Sequence, residues 1–442
     1  MVRPMFSFGT RWLVAVDTIE KILTAGERQA DEVEVYLATG TSVTARLRKR
    51  EISYALGSEH QALSLRVIRG GRIGVSSTGN PQAWEACLDA ALRSAALAAP
   101  QEWDGLPGPA ENYGDFVNFD ENVVPDPDRV REMVRGMEEG ACRYPVEIVS
   151  GSAEISQYRI VLANSRGLYR EDRESLVSMG LETIREQSTG YEYGTSWKMD
   201  IDPGSVGEKA AFLAATSHGG KDIPTGTYDV VLSPDAFGQL MAGSFLPALS
   251  GRNVHTGRSR LAHLIGQEVC DPALSFIDDP SNTRGIGSCR WDGEGTPTRT
   301  LHLVEKGVLR CFAYDLKTAY QYGCMTTGNA VRSGMGGGIA IGFHCMTLDG
   351  PRDEILEKDA IFVHDVVGAH TTNPLTGDFS VELANAYLYR GGNPEYPVRK
   401  AMLAGNVFEM LGETGGLSGE EKVVGCCVLP SIRLKNQKII GN

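Results

Sequence analysis

The segment His364-Asp365-Val366-Val367-Gly368-Ala369-His370 is the nearest the sequence comes to a metalloprotease motif. A hydrolytic zinc site needs three side-chain ligands, an open position for water and a base beside it. The spacing of six works against this. It sets the two imidazoles about 120° and two turns apart on a helix, or about 20 Å apart on a strand. Only a loop could bring both to one ion, with His344 or Cys345 completing a cryptic site. The segment reads as a strand end with two surface or turn histidines.

Other residues of suggestive type have weaker patterns. Asp278, Asp279, Asp292 and Glu294 could hold a hard cation. They sit beside proline and glycine, however, where acidic residues usually build turns. Ser333-Gly334-Met335-Gly336-Gly337-Gly338 could cradle a phosphate but lacks the Lys-Ser/Thr pair of a P-loop. Gly285-Ile286-Gly287-Ser288 is equally bland, and no Gly-x-Ser-x-Gly elbow has supporting partners. The nine cysteines are an odd number with no C-x-x-C spacing. Buried free thiols are expected, not a disulfide scaffold or structural zinc. Cys426 and Cys427, if adjacent on a strand, would point to opposite faces.

These residues sit in a chain of 442 with 42% hydrophobic composition, enough for a substantial core. The net charge of −13 opposes nucleic-acid binding. The best candidate for a basic patch, Arg46, Arg48, Lys49 and Arg50, reads as a solvated strand face. No apolar run reaches the roughly 18 residues of a membrane span. Met1 to Thr10 lacks the apolar segment and cleavage site of a signal peptide, so a cytoplasmic location is expected.

Periodicity supplies the framework. Helices are predicted at Val14–Ala25, from Pro81 to about Ala98, at Asp128–Cys142 and at Ser205–Ala215. Strands are predicted at Glu32–Ala38 and Ser42–Arg48. Leu63, Leu65 and Val67 form a strand face that turns at Arg69-Gly70-Gly71-Arg72 into Ile73–Ser76. Strands also fall within Glu147–Leu162, with looser alternation over Leu176–Glu192. Pro100 to Pro127 reads as a long connection, and Gly219 to Gly226 as a boundary between domains 1–223 and 224–442. Beyond it come a strand at Tyr228–Leu232 and a helix at Asp235–Leu249. Strands follow at Thr300–Val304, Val308–Ala313, Ile361–Val367, Glu382–Leu388 and Ser431–Leu434. A helix over Val398–Leu411, interrupted by Gly405, completes the set. The fold class is α+β: an N-terminal antiparallel sheet with helices, then a glycine-rich, curved or barrel-like β domain with helices.

An ordered series of segments in the second half resembles the TldD/PmbA family, also called the modulator of DNA gyrase family. It comprises Tyr228-Asp229-Val230-Val231-Leu232, Gly257-Arg258-Ser259, Ile277-Asp278-Asp279-Pro280 and Asp292-Gly293-Glu294-Gly295-Thr296-Pro297-Thr298. Thr327-Gly328-Asn329-Ala330, the run Asn373-Pro374-Leu375-Thr376-Gly377-Asp378-Phe379-Ser380, Ala404-Gly405-Asn406 and Pro430-Ser431-Ile432 follow. Leu65-Arg66-Val67 to Gly74 and Asn164-Ser165-Arg166-Gly167 match more loosely.

The resemblance implies one subunit of a two-subunit cytosolic peptidase acting on unfolded or small peptides. In such a pair the TldD-type chain carries an H-E-x-x-x-H helix and a further cysteine ligand near its C-terminus, and the TldE/PmbA-type chain lacks them. Here the matching positions are Ala242, Gly243 and Pro247, and the cysteine counterpart falls near Gly416. None can bind zinc or act as a base. The expectation is a TldE/PmbA-type, non-catalytic subunit with no metal or cofactor of its own and no catalytic residues. Zinc would reside in a TldD-like partner within a heterodimer, with a homodimer when this chain is alone. Any contribution to peptide binding would come first from Asn373, Thr376, Gly377 and Asp378 and from Gly336 and Gly337. Two alternatives remain: an independent metallohydrolase with a relocated site at His364/His370, and a non-enzymatic regulator of gyrase-related processes.

Overall fold

The computed structural model describes residues 13–441, with side chains described from Asp17 onward. The expectation for Met1 to Thr10 lies outside the described residues. The first half builds a six-stranded antiparallel sheet from β1 (Glu32–Arg48), β2 (Glu51–Arg69), β3 (Arg72–Thr78), β4 (Glu147–Asn164), β5 (Tyr169–Arg185) and β6 (Ser188–Ser196), in the order β3-β2-β1-β4-β5-β6. Strand β1 joins what the sequence divides at Gly40. The chain runs straight through that residue because β2 pairs it with His60 and β4 with Tyr158, and a Cβ there would lie 2.2 Å from the Tyr158 ring. The tight turn at Gly70 and Gly71, both with positive φ, joins β2 to β3.

Alternation sorts the two faces of this sheet. Val33, Val35 and Leu37, then Val43, Ala45 and Leu47, are buried beneath four helices. These are α1 (Leu13–Glu27), α2 (Trp84–Leu97), α3 (Pro127–Ala141) and α4 (Pro203–Thr216). Helices α3 and α4 meet through glycines; a Cβ at Gly207 would lie 1.8 Å from the Met137 carbonyl oxygen. The opposite face presents Tyr36, Ala38 and Leu162 to Trp291 of the second half.

The second half is a closed five-stranded barrel with extensions. Strands β7 (Gly226–Leu232), β14 (Ala360–Val367), β15 (Asp378–Arg390), β17 (Met402–Asn406) and β19 (Cys427–Ile440) form the ring β7-β14-β15-β17-β19-β7. Strand β13 (Met346–Asp349) pairs with β19 and continues the sheet through β8 (Ser275–Asp278), β9 (Leu301–Glu305) and β10 (Val308–Leu309). Strands β16 (Asn393–Val398) and β18 (Thr414–Val424) lie alongside, and β11 (Ala330–Arg332) pairs with β12 (Ile339–Ile341) as a separate hairpin. Among the described residues, no helix is long and apolar enough to cross a membrane.

The predicted helix over Val398–Leu411 is corrected. Val398 ends β16, the middle is strand β17, hydrogen-bonded to β15 on one side and β19 on the other, and a short helix forms only at Val407–Met410. Ring closure satisfies that backbone better than an isolated, glycine-broken helix could.

Candidate functional site

The helix expected to matter chemically begins at α5 (Pro234–Leu240). Ser233 caps it, its Oγ accepting from the Ala236 N–H at 3.2 Å, and Pro234 occupies the first turn. Phe237, Leu240 and Phe245 enter the barrel core with Val230, Ile361, Val381 and Leu403. Pro247 has no N–H, and in an α-helix its ring would press on the Gly243 carbonyl. The chain responds with a π turn over Met241–Phe245, closed by the Leu246 N–H donating to the Met241 oxygen, and then resumes at Leu246–Ala248.

That turn bears on the missing chemistry. Residues five apart are about 140° apart on an α-helix, and one π step reduces this to about 40°. Positions 242 and 247 thus share a side of the helix, as two ligands of one ion must. The backbone spacing for H-E-x-x-x-H is present, but the side chains are a methyl, a hydrogen and a pyrrolidine ring. Ala242 is exposed, and Gly243 and Pro247 are half-buried. A Cβ at Gly243 would lie 3.0 Å from Thr372 Cβ and 3.3 Å from the Ala369 oxygen, so the short helical turn Ala369–Thr371 and Thr372 close the space where a base would project. Gly416 has φ +113 and packs against Asp353 and Ile355 with no thiol to offer. These residues do not fit a zinc ion.

His364 and His370 do not converge. His364 is buried, a correction to the surface position expected for it, because β14 is covered on both faces. Its Nε2 lies 4.0 Å from Glu192 Oε2. Burial holds its pKa below the ordinary histidine value, against the pull of Glu192. His370 is exposed on the helical turn after Gly368. Among the described residues, no group of three or more His, Cys, Asp or Glu side chains is arranged to hold a metal ion.

Around His364 lies a charge cluster that the sequence does not announce. Lys422 Nζ reaches Asp235 Oδ2 at 2.9 Å and also contacts Glu192. Lys209 lies 2.9 Å from Glu192. Glu192 comes from the first sheet, Lys422 from β18 and Asp235 from the first turn of α5, so the cluster ties both halves to that helix. Single charged residues scattered over strands and helices were its only trace in the sequence.

The acidic set is used internally. Asp278 accepts from the backbone N–H groups of His344 and Cys345, both at 2.9 Å, and from Asn329 Nδ2 at 2.7 Å. Asp292 accepts from the N–H groups of Glu294, Thr296 and Ala330. Glu294 pairs with Arg66 at 2.5 Å, and Asp279 closes a turn through Ser281. Cys426 and Cys427 do not diverge as expected. Cys426 lies in the turn after Gly425, and the two sulfurs are 4.0 Å apart.

The two loops singled out for peptide binding are separate and largely self-satisfied. Asn373 Oδ1 accepts from the N–H groups of Leu375 and Thr376, and the Gly377 N–H donates to the Asn373 oxygen at 2.8 Å. Thr376 Oγ1 donates to Asp378, which Asn406 also holds at 2.8 Å. The glycine loop joins β11 to β12, and the Gly337 N–H donates to the Ser333 oxygen at 2.9 Å. Gly336, with φ +143, lies against β2, where an added Cβ would be 3.2 Å from Ala62 Cβ.

Glu174 on β5 lies near the junction between the halves. Burial, and then the charge of Asp172, push its carboxyl up to about 7 from the ordinary 4.5. A raised carboxyl pKa favours the folded state while the group is protonated. That advantage is present below about 4.5 and is lost as pH rises through about 7. Glu174→Gln should therefore raise stability at pH 8 by about 1–2 kcal/mol, allowing for partial exposure, and change little at pH 5. Urea unfolding at the two pH values tests this, and an equal shift at both would contradict it.

Comparison with known proteins covers most of the chain. Residues 225–441 match the PmbA/TldA metallopeptidase C-terminal domain, residues 33–95 domain 1 and residues 121–217 the central domain. The chain is 29% identical to an uncharacterised protein of Methanocaldococcus jannaschii, covering 95% of this chain and 99% of that one. It is 27% identical to the metalloprotease PmbA homolog of Haemophilus influenzae, over 93% and 92% of the two chains. The crystal structure of TldE from Thermococcus kodakarensis superposes with a TM-score of 0.89 at 25% identity, covering 96% of this chain and all of that one. A Thermotoga maritima protein described as a modulator of a DNA gyrase shares the fold, with a TM-score of 0.88 at 22% identity over 96% of this chain and all of its own.

Proposed function

Because the chain belongs to the PmbA/TldA metallopeptidase family, we propose that it is the TldE/PmbA-type, metal-free subunit of a two-subunit cytoplasmic peptidase. Its partner is a TldD-like chain that holds the zinc, and their joint substrates are unfolded or small peptides. One observation carries this reading. The helix whose π turn aligns positions 242 and 247 bears Ala242, Gly243 and Pro247 where ligands and base would stand, and Thr372 fills the base's space. The division near residues 223 and 224, and a homodimer when the chain is alone, belong to the same reading. The relocated site at His364/His370 gains no support, since one imidazole is buried beside Glu192 and the other exposed on a turn. A gyrase regulator would need a contact surface that the net charge of −13 does not suggest for DNA.

The test is zinc per chain by elemental analysis, on protein purified alone without chelator, followed by co-expression with a TldD-like subunit. Near-zero zinc, no peptidase activity alone, and co-purification of an active one-to-one pair are expected. Near-stoichiometric zinc that is lost in His364→Ala would sink the proposal, as would peptidase activity of the lone chain.

A further inference from the structure

A groove of about 760 Å³ opens between the long connection after α2 and the loops around residues 296–299 and 320–326, far in sequence from the helix just discussed. Trp103, Tyr320 and Met325 give it apolar walls. Glu102, Asp104 and Arg299 supply its charged lining. Cys324 also lines it. The short helix Leu316–Gln321 ends just before, Gly323 turns with φ +65, and the Cys324 N–H is fixed on the Ala319 oxygen at 2.8 Å.

The Cys324 sulfur lies 4.0 Å from His255 Nε2, and that nitrogen is 3.2 Å from the Tyr314 hydroxyl. The imidazole stacks flat on Tyr322, with ring centres 4.0 Å apart and planes 5° apart. Stacking and hydrogen bonding together fix the ring with Nε2 facing the thiol. Burial first, and then Cys324, push the Tyr314 phenol up to about 12, so near neutrality the phenol keeps its proton, and its hydrogen bond with Cys324 turns the O–H to the sulfur and leaves the Nε2 lone pair for the thiol proton. Most other cysteines are less suited. Cys87, Cys270, Cys345 and Cys427 are buried, and burial also pushes up the Cys289 and Cys311 thiols. Cys142, contacted by Arg50 at 3.2 Å, and Cys426 are the competitors.

We propose that Cys324 is a thiol–disulfide exchange site for a small peptide disulfide of the glutathione class, with His255 accepting the thiol proton. The Cys324 thiolate attacks one sulfur of the bound disulfide. A Cys324–sulfur bond forms as the original S–S bond breaks, and the departing thiolate takes the proton from the His255 imidazolium. Cys324 is oxidised and half of the disulfide is reduced, so no further oxidant is needed. The groove suits this ligand because a zwitterionic tripeptide carries carboxylates for Arg299 and an ammonium for Glu102 and Asp104. This inference does not depend on pairing with a TldD-like subunit.

The test treats the full chain with oxidised glutathione and maps the adduct by mass spectrometry, with the uncharged hydroxyethyl disulfide run in parallel. A single glutathione adduct at Cys324 is expected, absent in Cys324→Ser. Its formation should slow roughly 3- to 10-fold in both His255→Ala and His255→Gln, with circular dichroism unchanged. A first adduct at Cys142 or Cys426 would overturn the proposal. So would an unchanged rate in both His255 variants, or equal rates with the two disulfides.

Discussion

Arg66→Ala is expected to cost about 3–5 kcal/mol of stability, the usual loss when one partner of a buried ion pair is removed. Arg66 is 5% exposed, and its guanidinium reaches Glu34 at 2.6 Å and Glu294 at 2.5 Å. Arg332 supports Glu34 from the other side at 2.5 Å, so Glu294 is the carboxylate left without a counter-ion. Burial already pushes the Glu294 carboxyl up to about 7, with Arg66 pulling down and Asp292 pushing up. Without Arg66 the carboxyl rises further and takes a proton, which relieves the loss at low pH and not at high pH. The destabilisation should therefore be larger at pH 8 than at pH 5.5 in urea unfolding. A loss below about 1 kcal/mol at both would show that this join between the first sheet and the barrel half is not held by charge. The pair also accounts for Glu294 in the Asp292–Thr298 segment, where it serves as an internal tie between the halves.

Lys422→Ala is expected to cost about 2–3 kcal/mol, while Lys422→Arg should retain most of the stability. The Lys422 side chain is 21% exposed, and it is the cation shared by Glu192 and Asp235. Glu192 would keep Lys209, which is half in solvent and so a weaker partner; Asp235 would keep neither lysine. The variant acts on the first turn of α5, so in the proposed heterodimer it should also weaken co-purification with a TldD-like subunit. A cost below about 0.5 kcal/mol, with pairing intact, would mean that the cluster only fills space between the halves. Chemical unfolding and a pull-down read the two consequences separately.

Much of the architecture was legible because it rests on local rules. Period-two alternation marked β1, the β2–β3 hairpin and β7, and the proline after Asn80 marked the entry to α2. The strands broken at Gly40, and the helix read over Val398–Leu411, failed for one reason. A glycine or a short apolar run does not show whether a neighbouring strand will claim its backbone, and in both places one does.

By itself, the sequence determined that this chain carries no ligand or base at positions 242, 243 and 247, because those are matters of side-chain identity, and it determined the family through an ordered set of segments. Tertiary structure alone decided the rest. Arg66 finds Glu294 across 228 residues of chain. His364 is buried beside a glutamate from the other half. Pro247 is accommodated by a π turn that brings positions 242 and 247 to one side of the helix. Cys324 is brought to His255 across 69 residues. Apart from the π turn, which answers Pro247 locally, each depends on a long-range contact whose energy comes from burial or charge, and neither periodicity nor motif spacing carries that information.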